Sequence, residues 1–274
     1  MEQIAKGKTE IIEEDARNQF LINLMTWSFS RLNSFYQCAH AWKLRYLECN
    51  EAAPSFFAQY GSIMHKILEL YAKEELSIFE ISQYYEEHFY EEVYEDAPYN
   101  MYVDIKQSYY EKGLEYLDNI DLMLEDYEVL GIEKEVSFQI AGYPVIGYID
   151  LLLKRKADGK IIILDHKSAS LHFKKNGEIR KADKKHFLEF KRQLYLYSLP
   201  VIEEYGKVDY LQWNMFKDRK HITVEWNEKE YKEAIQWAVD TIQQIQTETA
   251  WFPNPQAHFC QNLCGQREIC EYRE

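Results

Sequence analysis

The apolar positions of the first half recur at helical spacing. In residues 28–48, SFSRLNSFYQCAHAWKLRYLE, Leu32, Phe35, Tyr36, Trp42 and Leu47 follow serines suited to capping, which predicts a helix. A second helix is expected from near Gly61, carrying Ile63, Ile67, Leu68 and Tyr71, and residues 78–96 and 100–128 read as long Glu- and Tyr-rich helices. From Ile132 the pattern becomes strand-like: EVSFQI, YPVIGYIDLLLK and KIIILDHK, with Asp158–Gly159 as a two-residue hairpin turn between the last two. A helix over about 184–204, the strands VDYLQWNMF and HITVEW, a helix over 228–249 and an irregular tail complete the chain. This order predicts an α/β core preceded by a helical portion with an insertion. All 274 residues are read as one domain: 26–130 mainly helical, 131–249 the α/β core, 250–274 a Cys-containing tail.

The hairpin interrupts its own apolar pattern with Asp150, Asp165 and Lys167. If Asp158 and Gly159 are the central turn residues, Asp150 falls opposite Lys167 and Leu152 opposite Asp165. Strand side chains alternate, so the three charged residues share one face, with the two aspartates as diagonal neighbours. Adjacent carboxylates repel and are costly to bury unpaired, so a positive charge belongs between them. Lys167 can supply it; so can a hard divalent cation such as Mg²⁺ or Mn²⁺.

Charge narrows the partners. A net charge of −14 opposes indiscriminate coating of nucleic acid. The charge is uneven, however. Glu69 to Asp96 holds ten acids and one base, Lys73, whereas Leu171 to Arg192 holds eight Lys and Arg against three acids. No run approaches the roughly 18 apolar residues of a membrane span, and the acidic N-terminus lacks a signal core, so a soluble cytoplasmic protein without a membrane role is expected. The tripeptide GKT at 7–9 lacks the upstream glycine and strand of a phosphate-binding loop.

Six segments in order, SFSRLNSFYQCAHAWKLRYL, GSIMHKILE, GYIDLLL, ILDHKS, QLYLY and CQNLCGQREIC, resemble the PD-(D/E)XK nuclease superfamily, specifically its RecB-like and AddB-like exonucleases. The resemblance implies a restriction-endonuclease-like mixed β-sheet flanked by helices, and a metal-dependent deoxyribonuclease acting on DNA ends in replication, recombination or repair. It implies that His65, Asp150, Asp165 and the main-chain carbonyl of His166 hold Mg²⁺ or Mn²⁺. Lys167 would orient or activate the attacking water, and Gln193 and Tyr197, four residues apart on one helix face, would reach the same site. Glu133 stands where related enzymes often carry an acid. The rival expectations are a non-catalytic DNA-end-binding scaffold and a structure-specific endonuclease.

Cys38, Cys260, Cys264 and Cys270 suggest metal ligation, and four thiolates suit either a [4Fe–4S] cluster or Zn²⁺. One cysteine before the core and three near the C-terminus is the arrangement of the family's iron–sulfur branch, although the first tail spacing, three residues, departs from the usual two. Cys49 fits none of these positions. Lys174, Lys175, Lys184, Lys185 and Arg192 follow the metal site in sequence and are expected to steer the DNA backbone. With no nucleotide-binding loop, any unwinding falls to a helicase or recombinase partner.

Overall fold

The computed structural model describes residues 2–273, with residues 2–12 described by their backbone alone. In chain order it forms α1 (Glu2–Asn23), α2 (Phe29–Gln37), α3 (Ala39–Tyr46), α4 (Phe56–Ala72), α5 (Ile81–Glu92), α6 (Ile105–Leu117), β1 (Tyr127–Ile140), β2 (Tyr143–Arg155), β3 (Ile161–Lys167), α7 (Lys184–Tyr205), β4 (Tyr210–Met215), β5 (Lys220–Glu225), α8 (Glu228–Thr247) and α9 (Ala257–Asn262). The strands make one mixed sheet in the order β1-β2-β3-β4-β5, with β3 and β4 parallel and the β2–β3 and β4–β5 pairs antiparallel. This is the expected α/β, restriction-endonuclease-like arrangement. No described helix is long and apolar enough to cross a membrane.

Contacts divide the chain into two compact units. The first comprises residues 2–53, the tip of the β1–β2 hairpin (137–146) and residues 233–273; the second comprises 54–136 and 147–232. In the first unit Trp42 stacks on Trp251 with ring centroids 5.4 Å apart, and Phe35 meets both edge-on. The helix expected over 28–48 is two helices. Cys38, extended at φ −164°, ends α2 and caps α3, its sulfur accepting from Ala41 N. The extended cap interrupts the helical path, and its sulfur satisfies an N–H of the first turn of α3. Helix α1 contains the GKT tripeptide and was not expected from the apolar pattern.

The second unit is a sheet covered on both faces. One face carries α4, α5 and α6 around Tyr60, Ile63, Ile67, Tyr85, Phe89 and Leu117. On that face Leu151, Leu153, Ile162 and Leu164 pack with Ala72 of α4. On the other face Phe187 of α7 meets Trp213 of β4, which is in register with Asp165. Strand β3 is buried along nearly its whole length, as its apolar run requires. The helix expected over 100–128 stops at Leu117, because residues from Tyr127 join the sheet and Tyr127 and Ile132 pack on the cluster around Leu151. The burial gained in the sheet overrides the local helical pattern.

Candidate active site

The hairpin that carries the acids closes with a longer loop than expected. Arg155 N donates to Lys160 O at 2.9 Å and Gly159 N to Arg155 O at 2.8 Å, so residues 156–159 form the turn, and Asp158 is held by the Arg155 guanidinium. Leu151 pairs with Leu164 and Leu152 with Ile163. Continued by one residue, that register sets Asp150 against Asp165, not against Lys167. A shift of two positions preserves the face of every side chain, so the three charged residues stay together. It also brings the two carboxylates closer than the diagonal placement did. Burial, and then the charge of Asp165, push the Asp150 carboxyl well above the ordinary range, while Lys167 and the His166 N–H oppose them.

Helix α4 supplies His65 to the same end of the sheet. Its Nδ1 lies 3.4 Å from Asp150 Oδ2, its Nε2 lies 3.0 Å from the His166 carbonyl, and Asp150 Oδ2 accepts from His166 N at 2.6 Å. Burial holds the imidazole below its usual pKa, favouring the neutral form that binds metals. Glu133 completes the group: potential ligand atoms of His65, Glu133 and Asp150 all lie within 4.8 Å of one another. Glu133 sits inside β1 at φ 43°, a left-handed backbone rarely taken by a non-glycine residue. Such local strain is characteristic of functional positions. Burial first, then the Asp150 charge, raise its carboxyl to about 7. One imidazole, two carboxylates and a neighbouring carbonyl form a donor set suited to a divalent cation.

Asp165 stands beside this group with its oxygens engaged. Lys167 Nζ is 2.6 Å from Oδ2, and Gln193 Nε2 donates to Oδ1 at 3.2 Å. Lys167 also donates to Gln193 Oε1 at 2.9 Å and lies over the Phe190 ring. Asp165, Lys167 and Gln193 therefore form a closed triangle that fixes the ammonium at the mouth of the site. Tyr197, one turn beyond Gln193, is buried against the strand opposite: a Cβ on Gly147 would meet its ring. The glycine of G-x-x-D thus makes room for the tyrosine of Q-x-x-x-Y. On the other face of the sheet Asn214, fully buried, donates toward His166 Nδ1 at 2.9 Å and to the Tyr116 hydroxyl at 2.6 Å. Sequence reasoning singled out neither Asn214 nor Tyr116; a polar residue in the buried strand YLQWNM was the available signal.

The four expected cysteines converge within the first unit. Cys38, Cys260, Cys264 and Cys270 line one small cavity with Pro253 and Tyr272. Backbone N–H groups point at two of the sulfurs: Asn254 N at 3.4 Å from Cys38 Sγ and Gln256 N at 3.3 Å from Cys260 Sγ. Burial, then the proximity of Cys38, Cys270 and Cys260, raise the Cys264 thiol. Cys49 is exposed and apart from this cavity.

The basic residues after β3 behave less uniformly. Lys175, Lys184 and Lys185 are exposed. Lys174 pairs with Glu178 at 2.7 Å across a short turn, and Arg192 is partly buried on α7.

A mixed sheet that gathers His65, Glu133 and Asp150 beside the Asp165–Lys167–Gln193 triangle at the end of β3 is the arrangement expected of a nuclease of this fold. The chain belongs to the PD-(D/E)XK nuclease superfamily, whose family profile matches residues 26–271. The crystal structure of a presumed exonuclease from Eubacterium rectale is similar in fold, with a TM-score of 0.50 and 12% identity over 94% of this chain and 88% of that one. No protein of curated function matches.

Proposed function

We propose that this chain is a divalent-metal-dependent DNA exonuclease of RecB-like or AddB-like type, a single nuclease domain over 1–274 that processes DNA ends in replication, recombination or repair in the cytoplasm, alongside a helicase or recombinase. The observation that carries the reading is the convergence of His65, Glu133 and Asp150 next to the Asp165–Lys167–Gln193 triangle. His65, Glu133, Asp150 and the His166 carbonyl would hold the metal, with Asp165 joining from across the strands. When bound, Mg²⁺ or Mn²⁺ supplies Lewis-acid polarisation of the phosphodiester and an activated water nucleophile.

The protein's own groups do the rest. Lys167, held by Asp165 and Gln193, keeps a fixed positive charge where the phosphate gains negative charge, and orients the attacking water. Gln193 fixes the ammonium and Asp165 with one amide, and Tyr197 sets the depth of α7 against β2 through Gly147. Lys175, Lys184 and Lys185, with Lys174 and Arg192, would draw the DNA backbone toward the site.

The cysteines are read as ligands of a [4Fe–4S] cluster. All four line one cavity, as ligands of a single centre must; four thiolates would suit Zn²⁺ as well, and metal content decides between the two. N–H groups directed at sulfur are also usual around such clusters.

The test uses anaerobically purified protein with Mn²⁺ on end-labelled linear DNA and on covalently closed circles, single- and double-stranded. Degradation of linear DNA alone, lost in Asp165→Ala and Lys167→Ala, is the expected result. Cleavage of closed circles would establish an endonuclease instead. DNA-end binding without turnover would establish a scaffold.

A further inference from the structure

The connection between α5 and α6 exposes more large apolar surface than its structural role uses. In residues 93–104, VYEDAPYNMYVD, Tyr99 is 92% exposed, Tyr102 84% and Met101 71%, with Tyr94 and Val103 also open. The loop is held instead by its backbone and its buried small side chains. Val93 is fully buried and Ala97 packs on the α4–α6 core. Glu95 N donates to Gln59 at 2.9 Å, Lys106 Nζ donates to Glu95 O at 3.2 Å, and Tyr102 N donates to Asn100 Oδ1 at 2.8 Å. The loop is therefore tethered at its start by Val93, Glu95 and Ala97 and locally ordered at Asn100–Tyr102, while the aromatic groups face outward. Exposed apolar groups gathered in this way mark interaction surfaces, and a pre-ordered segment loses little entropy on binding.

Charge selects the partner. Residues 93–104 contain three acids, Glu95, Asp96 and the α6 cap Asp104, and no Lys or Arg, so phosphate is repelled and the rings are poorly suited to stacking on DNA bases directly. Rings interleaved with carboxylates instead present the combination that single-stranded nucleic acid presents: flat π faces beside negative charges. The complementary surface is a basic groove floored with stacking side chains, as in proteins that bind single strands through OB folds.

We infer that the 93–104 loop docks into the nucleic-acid groove of a single-stranded-DNA-binding protein, bringing the nuclease to coated strands and competing locally with the DNA. The inference does not depend on the catalytic assignment above, and its test is a binding measurement. The full chain is titrated, without DNA, against the OB-fold single-stranded-DNA-binding protein of the same cell, by calorimetry or anisotropy. Binding is expected, weakened by salt and displaced by oligo-dT. The Tyr99→Ser/Tyr102→Ser variant is expected to lose at least tenfold in affinity, with an unchanged thermal midpoint because both rings are solvent-exposed, and with unchanged turnover on a bare oligonucleotide. Absence of binding, binding that oligo-dT does not displace, or an unaffected variant overturns the inference. So does a loss of affinity for bare DNA in that variant, which would make the rings a stacking platform, or a wild-type dimer that it dissolves, which would make the loop a self-association surface.

Discussion

Replacing Gly147 by Ala tests whether the two motif segments GYID and QLYLY are a single mechanical unit. In the extended backbone of β2 the added Cβ would stand 2.6 Å from Tyr197 Cζ and 2.9 Å from its hydroxyl oxygen. Carbon atoms pack at about 3.5–4.0 Å, so the ring has to retreat by roughly 1 Å. Tyr197 is 6% exposed, and its neighbours on α7, Leu194 and Leu196, are buried as well, so little room is available. Overpacking of this kind costs about 1–3 kcal/mol. For a chain of this size each kcal/mol lowers the melting midpoint by about 2–4 °C, which gives a loss of about 2–12 °C. Because Gln193 lies one turn from Tyr197 on α7, turnover should fall too. The assay is thermal unfolding and Mn²⁺-dependent turnover across a double-mutant cycle with Tyr197→Ala, which removes the ring. The two substitutions should be strongly non-additive, the second cancelling the steric cost of the first. A Gly147→Ala protein as stable as wild type, or additive losses, would refute the coupling.

Three further outcomes follow from the same geometry. Glu133 has a folded pKa of about 7, above its unfolded value, so it stabilises the metal-free fold at low pH, and that contribution is lost as pH rises from about 4.5 to 7. Metal-free Glu133→Gln should therefore melt higher than wild type at pH 8 but not at pH 4.5, while calorimetry should show Mn²⁺ affinity of wild type rising from pH 6 to 8 and largely abolished in the variant. Asn214→Leu leaves His166 Nδ1 and the Tyr116 hydroxyl without their partner in a buried site, and should cost about 1–3 kcal/mol in denaturant unfolding, with Tyr116→Phe costing less. Cys264→Ser should lose visible absorption and bound iron after anaerobic purification; iron-free wild type carrying zinc would end the cluster assignment.

Much of the site was legible because its residues violate their surroundings. Asp165 ends an apolar strand, Lys167 follows two residues later, and His65 interrupts an apolar helix; each departure from period is a local fact of the chain. Their shared face survived an error in the expected turn, since alternation along a strand is insensitive to a shift of two. The loop length itself was not legible, because Asp158–Gly159 suits a two-residue turn as well as the end of a four-residue one, which the backbone bonds Arg155 N to Lys160 O and Gly159 N to Arg155 O form here. Glu133 was weakly marked, since its left-handed backbone inside β1 comes from the surrounding sheet and not from its side chain.

The order of most helices and strands, the placing of Asp150, Asp165 and Lys167 on one strand face and the set of four cysteines follow from periodicity and residue chemistry. The tertiary fold decided the rest: where α6 yields to β1, how Cys38 breaks a helix to face the tail, which acid completes the cation group, and why a glycine in β2 must remain a glycine. These depend on burial and contact between segments far apart in the chain, which local sequence does not encode.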